Sequence, residues 1–161
     1  MLTLAANSPA EQEALGVRLA RALDSGCIIY LEGELGAGKT TLVRGFLRGM
    51  DYRGPVKSPT YTLLEPYETD GMACYHFDLY RLGDPEELEY LGIRDLLDSE
   101  SIILIEWPDR GQGFLPASDL TIRIQYRDGG RALEFIPQNP VGDAVVERLG
   151  SGGMGMGGSG A

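Results

Sequence analysis

Residues 27–50 read CIIYLEGELGAGKTTLVRGFLRGM, and they decide the fold. A short apolar run, residues 27–31, stops at a glycine-rich loop, residues 33–38. Lys39, Thr40 and Thr41 follow and open a helical pattern. Gly33, four residues, then Gly38-Lys39-Thr40 is the spacing of a P-loop, and a strand before with a helix after separates such a loop from a chance turn. A polyphosphate concentrates negative charge, and backbone N–H groups converge on it only where bulky side chains are missing. Gly33, Gly36, Ala37 and Gly38 are therefore the expected cradle, with Gly36 and Gly38 giving the closest access. The helix starting near Lys39 directs unpaired N–H groups and its positive dipole end at the same anion. Lys39 is expected to reach the outer phosphates, and the Thr40 hydroxyl to ligate a magnesium ion that bridges them.

Working outward, the whole chain is 161 residues, a length suited to one domain with a real core. It carries 24 acidic residues against 14 Lys and Arg, a formal net charge of −10. Proteins that grip a phosphate backbone concentrate positive charge, so any link to nucleic acid is expected to run through another protein. No apolar stretch has the length of a membrane span. No basic-then-apolar secretory signal opens the chain. Cys27 and Cys74 fall in apolar runs and read as small buried hydrophobes, which makes a reducing, cytoplasmic setting the expectation.

Ser8-Pro9-Ala10-Glu11 combines a capping serine, a first-turn proline and a capping-box glutamate, so residues 9–23 read as an amphipathic helix. Residues 51–59, broken by Pro55 and Pro59, read as a loop. Residues 61–67 and 72–80 flank Asp70-Gly71 and predict a β-hairpin. Asp84-Pro85-Glu86-Glu87 opens a helix over 85–91, which 93–97 extends. Residues 101–105 form a second buried strand, stopped at Pro108. Residues 120–126 and 132–136 pair across Asp128-Gly129-Gly130, and 140–149 form a last helix. The glycine-rich tail, 150–161, is expected to be disordered. The chain thus predicts a single P-loop domain over 1–149. Its class is α/β in three layers, a mixed sheet with parallel core strands, added antiparallel hairpins and helices on both faces.

A P-loop needs a carboxylate at the end of a neighbouring buried strand. Glu106, directly after that second run, stands in this place as the second magnesium ligand, because open α/β sheets bind ligands at strand carboxyl ends. The competing reading is a glutamate leaving the sheet for solvent. His76, Asp78 and Tyr80 share one face of an alternating strand. If that face meets the phosphate site, Asp78 positions the attacking water or supports the metal; otherwise the face is simply wet. His76 alone reads as a structural histidine. The hydroxyl-rich segment 57–62 follows the P-loop helix, where nucleotide switches sense the outer phosphate. Trp107 either packs on the nucleotide or caps the core. Asn7, Ser8 and Arg131, at the two ends of the fold, are the expected walls of a base pocket.

GELGAGKTT (33–41), SPTYTL (58–63), HFDLYR (76–81) and IEWPDR (105–110), in this order and spacing, closely resemble the TsaE (YjeE) family of small P-loop ATPases. The resemblance covers residues 9–136. It implies ATP and magnesium as cofactors, and a cytoplasmic accessory of tRNA threonylcarbamoyladenosine (t6A) synthesis on tRNAs reading codons that begin with adenine. It implies TsaB and TsaD as partners, with TsaD carrying out the transfer and the TsaE-like chain acting indirectly through ATP binding and hydrolysis. By position, Lys39, Thr40 and Thr41 resemble the phosphate contacts, Thr40 and Glu106 the magnesium pair, Asp78 the residue needed for hydrolysis and Trp107 a tryptophan near the nucleotide. The alternative is a small-molecule P-loop kinase. Such enzymes bring arginines over the transferred group, and residues 109–118 offer only Arg110. A nucleotide-gated adaptor is a third reading. A guanine-reading Asn/Thr-Lys-x-Asp motif is missing, which favours adenine.

Overall fold

Strand β2 (Cys27–Glu32) alternates buried and half-buried positions and lies at the centre of a seven-stranded sheet. The chain is described from a computed structural model over residues 1–34, 36–69, 71–97 and 100–158, with residues 97 and 152–158 as backbone only. Two strands flank β2 in parallel: β5 (Ile102–Glu106), pairing Leu31 with Glu106, and β6 (Leu120–Arg127), pairing Leu31 with Ile122. Beyond β5 lie β4 (Met72–Asp78), parallel to it, and β3 (Leu64–Thr69), antiparallel to β4. Beyond β6 lie β7 (Gly130–Pro137) and β1 (Leu2–Ala6), both added antiparallel. The order is β1-β7-β6-β2-β5-β4-β3. Because side chains alternate across a strand, neighbouring residues of β2 and β5 feed two separate cores.

One core holds Ile29, Leu31, Leu104 and Ile122 against α1 (Pro9–Arg21), α2 (Lys39–Gly49) and α5 (Pro140–Gly158). The other holds Phe77, Ile103 and Ile105 against Leu88 of α3 (Glu87–Tyr90) and Ile93 of α4 (Ile93–Leu97). The three-layer mixed architecture expected from the sequence is the one observed.

Helix α1 starts where its cap predicts. Ser8 Oγ accepts the Glu11 N–H at 3.1 Å, while the Glu11 carboxylate reaches back one residue further than a capping box requires, to the N–H of Asn7 at 2.8 Å. Helices α1 and α2 cross closely at Gly45, where a Cβ would run into the carbonyl of Glu13. That crossing fixes where α1 stands relative to the phosphate loop.

Several boundaries differ from the sequence-based expectation. Strand β3 begins at Leu64 rather than at residue 61, because Leu63 N–H closes a turn onto Pro59 at 2.9 Å and Leu63 itself takes φ 67°. Strand β4 ends at Asp78, so Tyr80 leaves the strand face it was expected to share with His76. Strand β1 was not anticipated. Helix α5 runs on to Gly158, past the expected end at residue 149. The expected disorder of the tail includes residues 159–161, which lie outside the described residues, as does the hairpin residue Asp70.

Candidate functional site

The sheet gathers the expected chemical groups at one edge. Parallel strands put their carboxyl ends side by side, and the register pairs Leu31 with Glu106 and Glu106 with Asp78. The end of β2 therefore delivers the phosphate loop next to both carboxylates, as the switch point of an open α/β sheet does.

Within the loop, Gly36 (φ 82°) and Gly38 (φ 97°) take left-handed backbone that other residues rarely adopt. Gly38 is the N-cap of α2 and brings no side chain to cap it, so the first N–H groups of the helix stay available to an anion. Ala37, within the loop, is fully buried, and Thr40 and Thr41, in the first turn of α2, are half-buried.

Donors grip the outer side of this loop. Gln12 Nε2 donates to the carbonyls of Ala37 (3.1 Å) and Gly38 (2.9 Å). Arg131 donates through Nε to Ala37 O (3.2 Å) and through a terminal nitrogen to Gly36 O (3.5 Å). A planar trans peptide carries its N–H opposite its C=O. Holding the carbonyls of Ala37 and Gly38 outward thus turns the N–H groups of Gly38 and Lys39 toward the interior of the loop. Gln12 gave no signal in the sequence, because its reach depends on how α1 crosses α2.

Lys39 is 6% exposed. Its ammonium donates to Gly33 O at 2.6 Å, stands 3.9 Å from Glu106 Oε1 and lies 4.2 Å from the centre of the Trp107 ring. Burial pushes its pKa down, against the upward pull of Glu106 and Asp78. Glu106, 4% exposed, is no solvent-bound glutamate, and its other oxygen meets His76 Nε2 at 2.6 Å. His76 is completely buried, so the polar face of β4 is not a wet one. Asp78, 7% exposed, accepts the Tyr80 N–H at 3.0 Å. Burial raises its pKa and Glu106 adds to the rise, while that N–H bond opposes it.

Trp107 holds φ 56°, an unusual backbone for a bulky residue. Its ring caps Lys39 and tilts against Tyr80 at 5.0 Å, and it also borders the second core. Arg110 is engaged elsewhere, donating to Tyr80 O at 3.1 Å. Ser58 and Thr60, in the segment expected to sense the outer phosphate, hydrogen-bond each other at 2.7 Å.

Clefts border the loop on more than one side. One, of about 410 Å³, lies between Glu32–Glu34 and Trp107–Asp109. A smaller one of about 90 Å³ is lined by Asn7, Ser8, Gln12 and Arg131, among others. The three residues expected to wall a base pocket thus do meet at one cleft.

Comparisons with known proteins point to one family. The family model for "Threonylcarbamoyl adenosine biosynthesis protein TsaE" matches residues 6–133. The tRNA threonylcarbamoyladenosine biosynthesis protein TsaE of Haemophilus influenzae is 53% identical over 123 residues, covering 76% of this chain and 78% of that one. Its counterpart in Nostoc is 38% identical over 130 residues, 78% of this chain and 79% of the relative. The crystal structure of Bacillus subtilis YdiB superposes with a TM-score of 0.80 at 28% identity, covering 93% of this chain and 94% of that one.

Proposed function

This chain belongs to the TsaE family, whose role is tRNA threonylcarbamoyladenosine biosynthesis, and from that premise we propose that it binds magnesium ATP at the loop of residues 33–41 and hydrolyses it. One observation carries the reading: Lys39, Glu106 and Asp78, from three different elements, meet at the carboxyl edge of β2, β5 and β4. The donor set fits magnesium, which keeps open positions for phosphate oxygens and water rather than filling a protein cage. Among the described residues no three His, Cys, Asp or Glu side chains form such a cage. Thr40 and Glu106 would hold the ion, which supplies charge neutralisation on the phosphoryl oxygens.

In this proposal Lys39 and the N–H groups at the start of α2 bind the outer phosphates. Gln12 and Arg131 keep the loop open to them, and the base enters the cleft beside Asn7, Ser8 and Arg131. Trp107 covers Lys39 and limits its contact with water. Asp78 orients the attacking water; its raised proton affinity makes it a better proton acceptor than a surface aspartate. With few groups beyond these, turnover is slow for the lone chain and rises with its partners, for which TsaB and TsaD are proposed. The chain does not itself transfer the threonylcarbamoyl group. No described helix is long and apolar enough to cross a membrane. A cytoplasmic setting completes the proposal, supported by two free, buried cysteines.

The test is phosphate release from ATP by the lone chain, with and without TsaB and TsaD. Release that depends on magnesium and rises with the partners is expected. Phosphoryl transfer to a metabolite, indifferent to those partners, would replace this reading with the kinase one, for which Arg110 is badly placed because Tyr80 holds it.

A further inference from the structure

Strand β4 leaves one polar group that the proposed chemistry does not use. His76 is 0% exposed and hydrogen-bonds one oxygen of Glu106, while the other oxygen of Glu106 faces Lys39. A carboxylate only accepts hydrogen bonds, so His76 Nε2 carries the proton and donates it. Nδ1 has no hydrogen-bond partner among the described residues. The hydrogen bond from Nε2 orients Glu106.

We propose that His76 is a positioning residue for the metal-binding carboxylate: its Nε2–H pins one oxygen of Glu106 and commits the other to the Lys39 side, where the magnesium of a bound nucleotide is held. Without that pin, a glutamate side chain at a strand end rotates about its terminal bond and presents either oxygen, or neither, to the site. With it, the side chain is ordered before nucleotide arrives, and the ordering is not drawn from binding energy. Outer partners of metal-bound side chains typically contribute about 10- to 100-fold to metal affinity. The contact joins residues from adjacent parallel strands, and the register His76 with Leu104, Asp78 with Glu106 sets it. The inference rests on the magnesium reading of Glu106 given above.

The test compares His76→Leu, His76→Gln and His76→Asn by titrating magnesium into each ATP-bound protein and following Trp107, the sole tryptophan of the chain. Calorimetry of ATP binding in chelator gives the metal-free affinity. Gln places an amide N–H near the position of Nε2, whereas Asn is too short. His76→Leu and His76→Asn are expected to need at least ~10-fold more magnesium at half-saturation. Their metal-free ATP affinity should stay within about twofold of native, and His76→Gln should recover most of the magnesium response. If His76→Leu does not fold, the Gln and Asn variants still decide. Matching magnesium curves for native and Asn proteins overturn the role of His76 alone, as does a Gln variant as impaired as the Asn one. A native chain whose ATP binding ignores magnesium overturns the magnesium reading itself, and this proposal with it.

Discussion

On its β4–β5 side the phosphate loop faces charged groups taken out of water: Lys39, Glu106 and Asp78, all under a tenth exposed. On its α1–β7 side it is gripped by Gln12 and Arg131, which donate to carbonyl oxygens of the loop. The first side is costly to fold, because burial works against each charge, as the lowered pKa of Lys39 and the raised pKa of Asp78 record. The second side satisfies backbone acceptors and costs little. In the proposed chemistry the difference separates a reacting flank from a holding flank. Substitutions on the two should differ in kind: the first should trade function for stability, and the second should lose both together.

The largest expected effect lies on the reacting flank. Asp78→Ala should slow ATP hydrolysis by about 10²- to 10⁴-fold, the range of a positioned acid or base, while ATP affinity changes little. Single-turnover hydrolysis with parallel binding measurements checks this, and full activity removes Asp78 from the site. Next comes Lys39→Ala. Losing a desolvated charged donor should weaken ATP binding by about 100-fold, or ~2.7 kcal/mol. Unchanged affinity in calorimetry would end the P-loop assignment.

A smaller effect is expected on the holding flank. Gln12→Ala removes two hydrogen bonds and leaves the Ala37 and Gly38 carbonyls with fewer donors. A loss of about 1–2 kcal/mol in unfolding free energy is expected, with a several-fold weaker affinity for ATP. A chain that loses stability but binds ATP as before would show that Gln12 supports the fold without shaping the loop.

How much of each flank can be read from the sequence follows the same division. The loop, Lys39 and Thr40 form one continuous pattern, and Glu106 marks itself by closing an apolar run. Both are local signals. The His76–Glu106 contact is not, since it joins residues 30 apart through the register of β4 on β5. Alternation put His76 and Asp78 on one face, but could not say whether that face was wet. Gln12 is less legible still. It sits on the α1 face that packs toward α2, and only the close crossing at Gly45 carries it to the loop. Strand β1, with no Val, Ile or aromatic residue, does not announce itself, and it exists because β7 offers an edge to pair with. Leu63 shows the opposite failure: a β-rich run predicted strand, and a local turn with positive φ took precedence.

The smallest expected effect is the one that tests the division most directly. Burial raises the pKa of Asp78 above its unfolded value, with Glu106 reinforcing the rise. The folded chain therefore holds this proton more tightly than the unfolded chain. Its contribution to stability is fully present below the unfolded pKa and is withdrawn as pH rises through the folded one. At neutral pH a charged Asp78 is thus a net burden on the fold. Asp78→Asn lifts that burden and keeps an acceptor for the Tyr80 N–H. A gain of ~1 kcal/mol corresponds to roughly 2–4 °C in Tm for a chain of this size, and an increase of that order is expected at pH 7. The advantage should shrink as pH falls through the carboxylate range, because the native side chain then becomes neutral as well. Melting curves of the two proteins from pH 7 to pH 4 decide the matter. If Asp78→Asn melts lower at pH 7, the carboxylate is stabilising the fold, and the reacting flank is not the strained one. If it melts higher by the same margin at every pH, the gain comes from packing rather than charge. Only a gap that closes with acid ties the cost of this flank to the ionised carboxylate that the proposed hydrolysis uses.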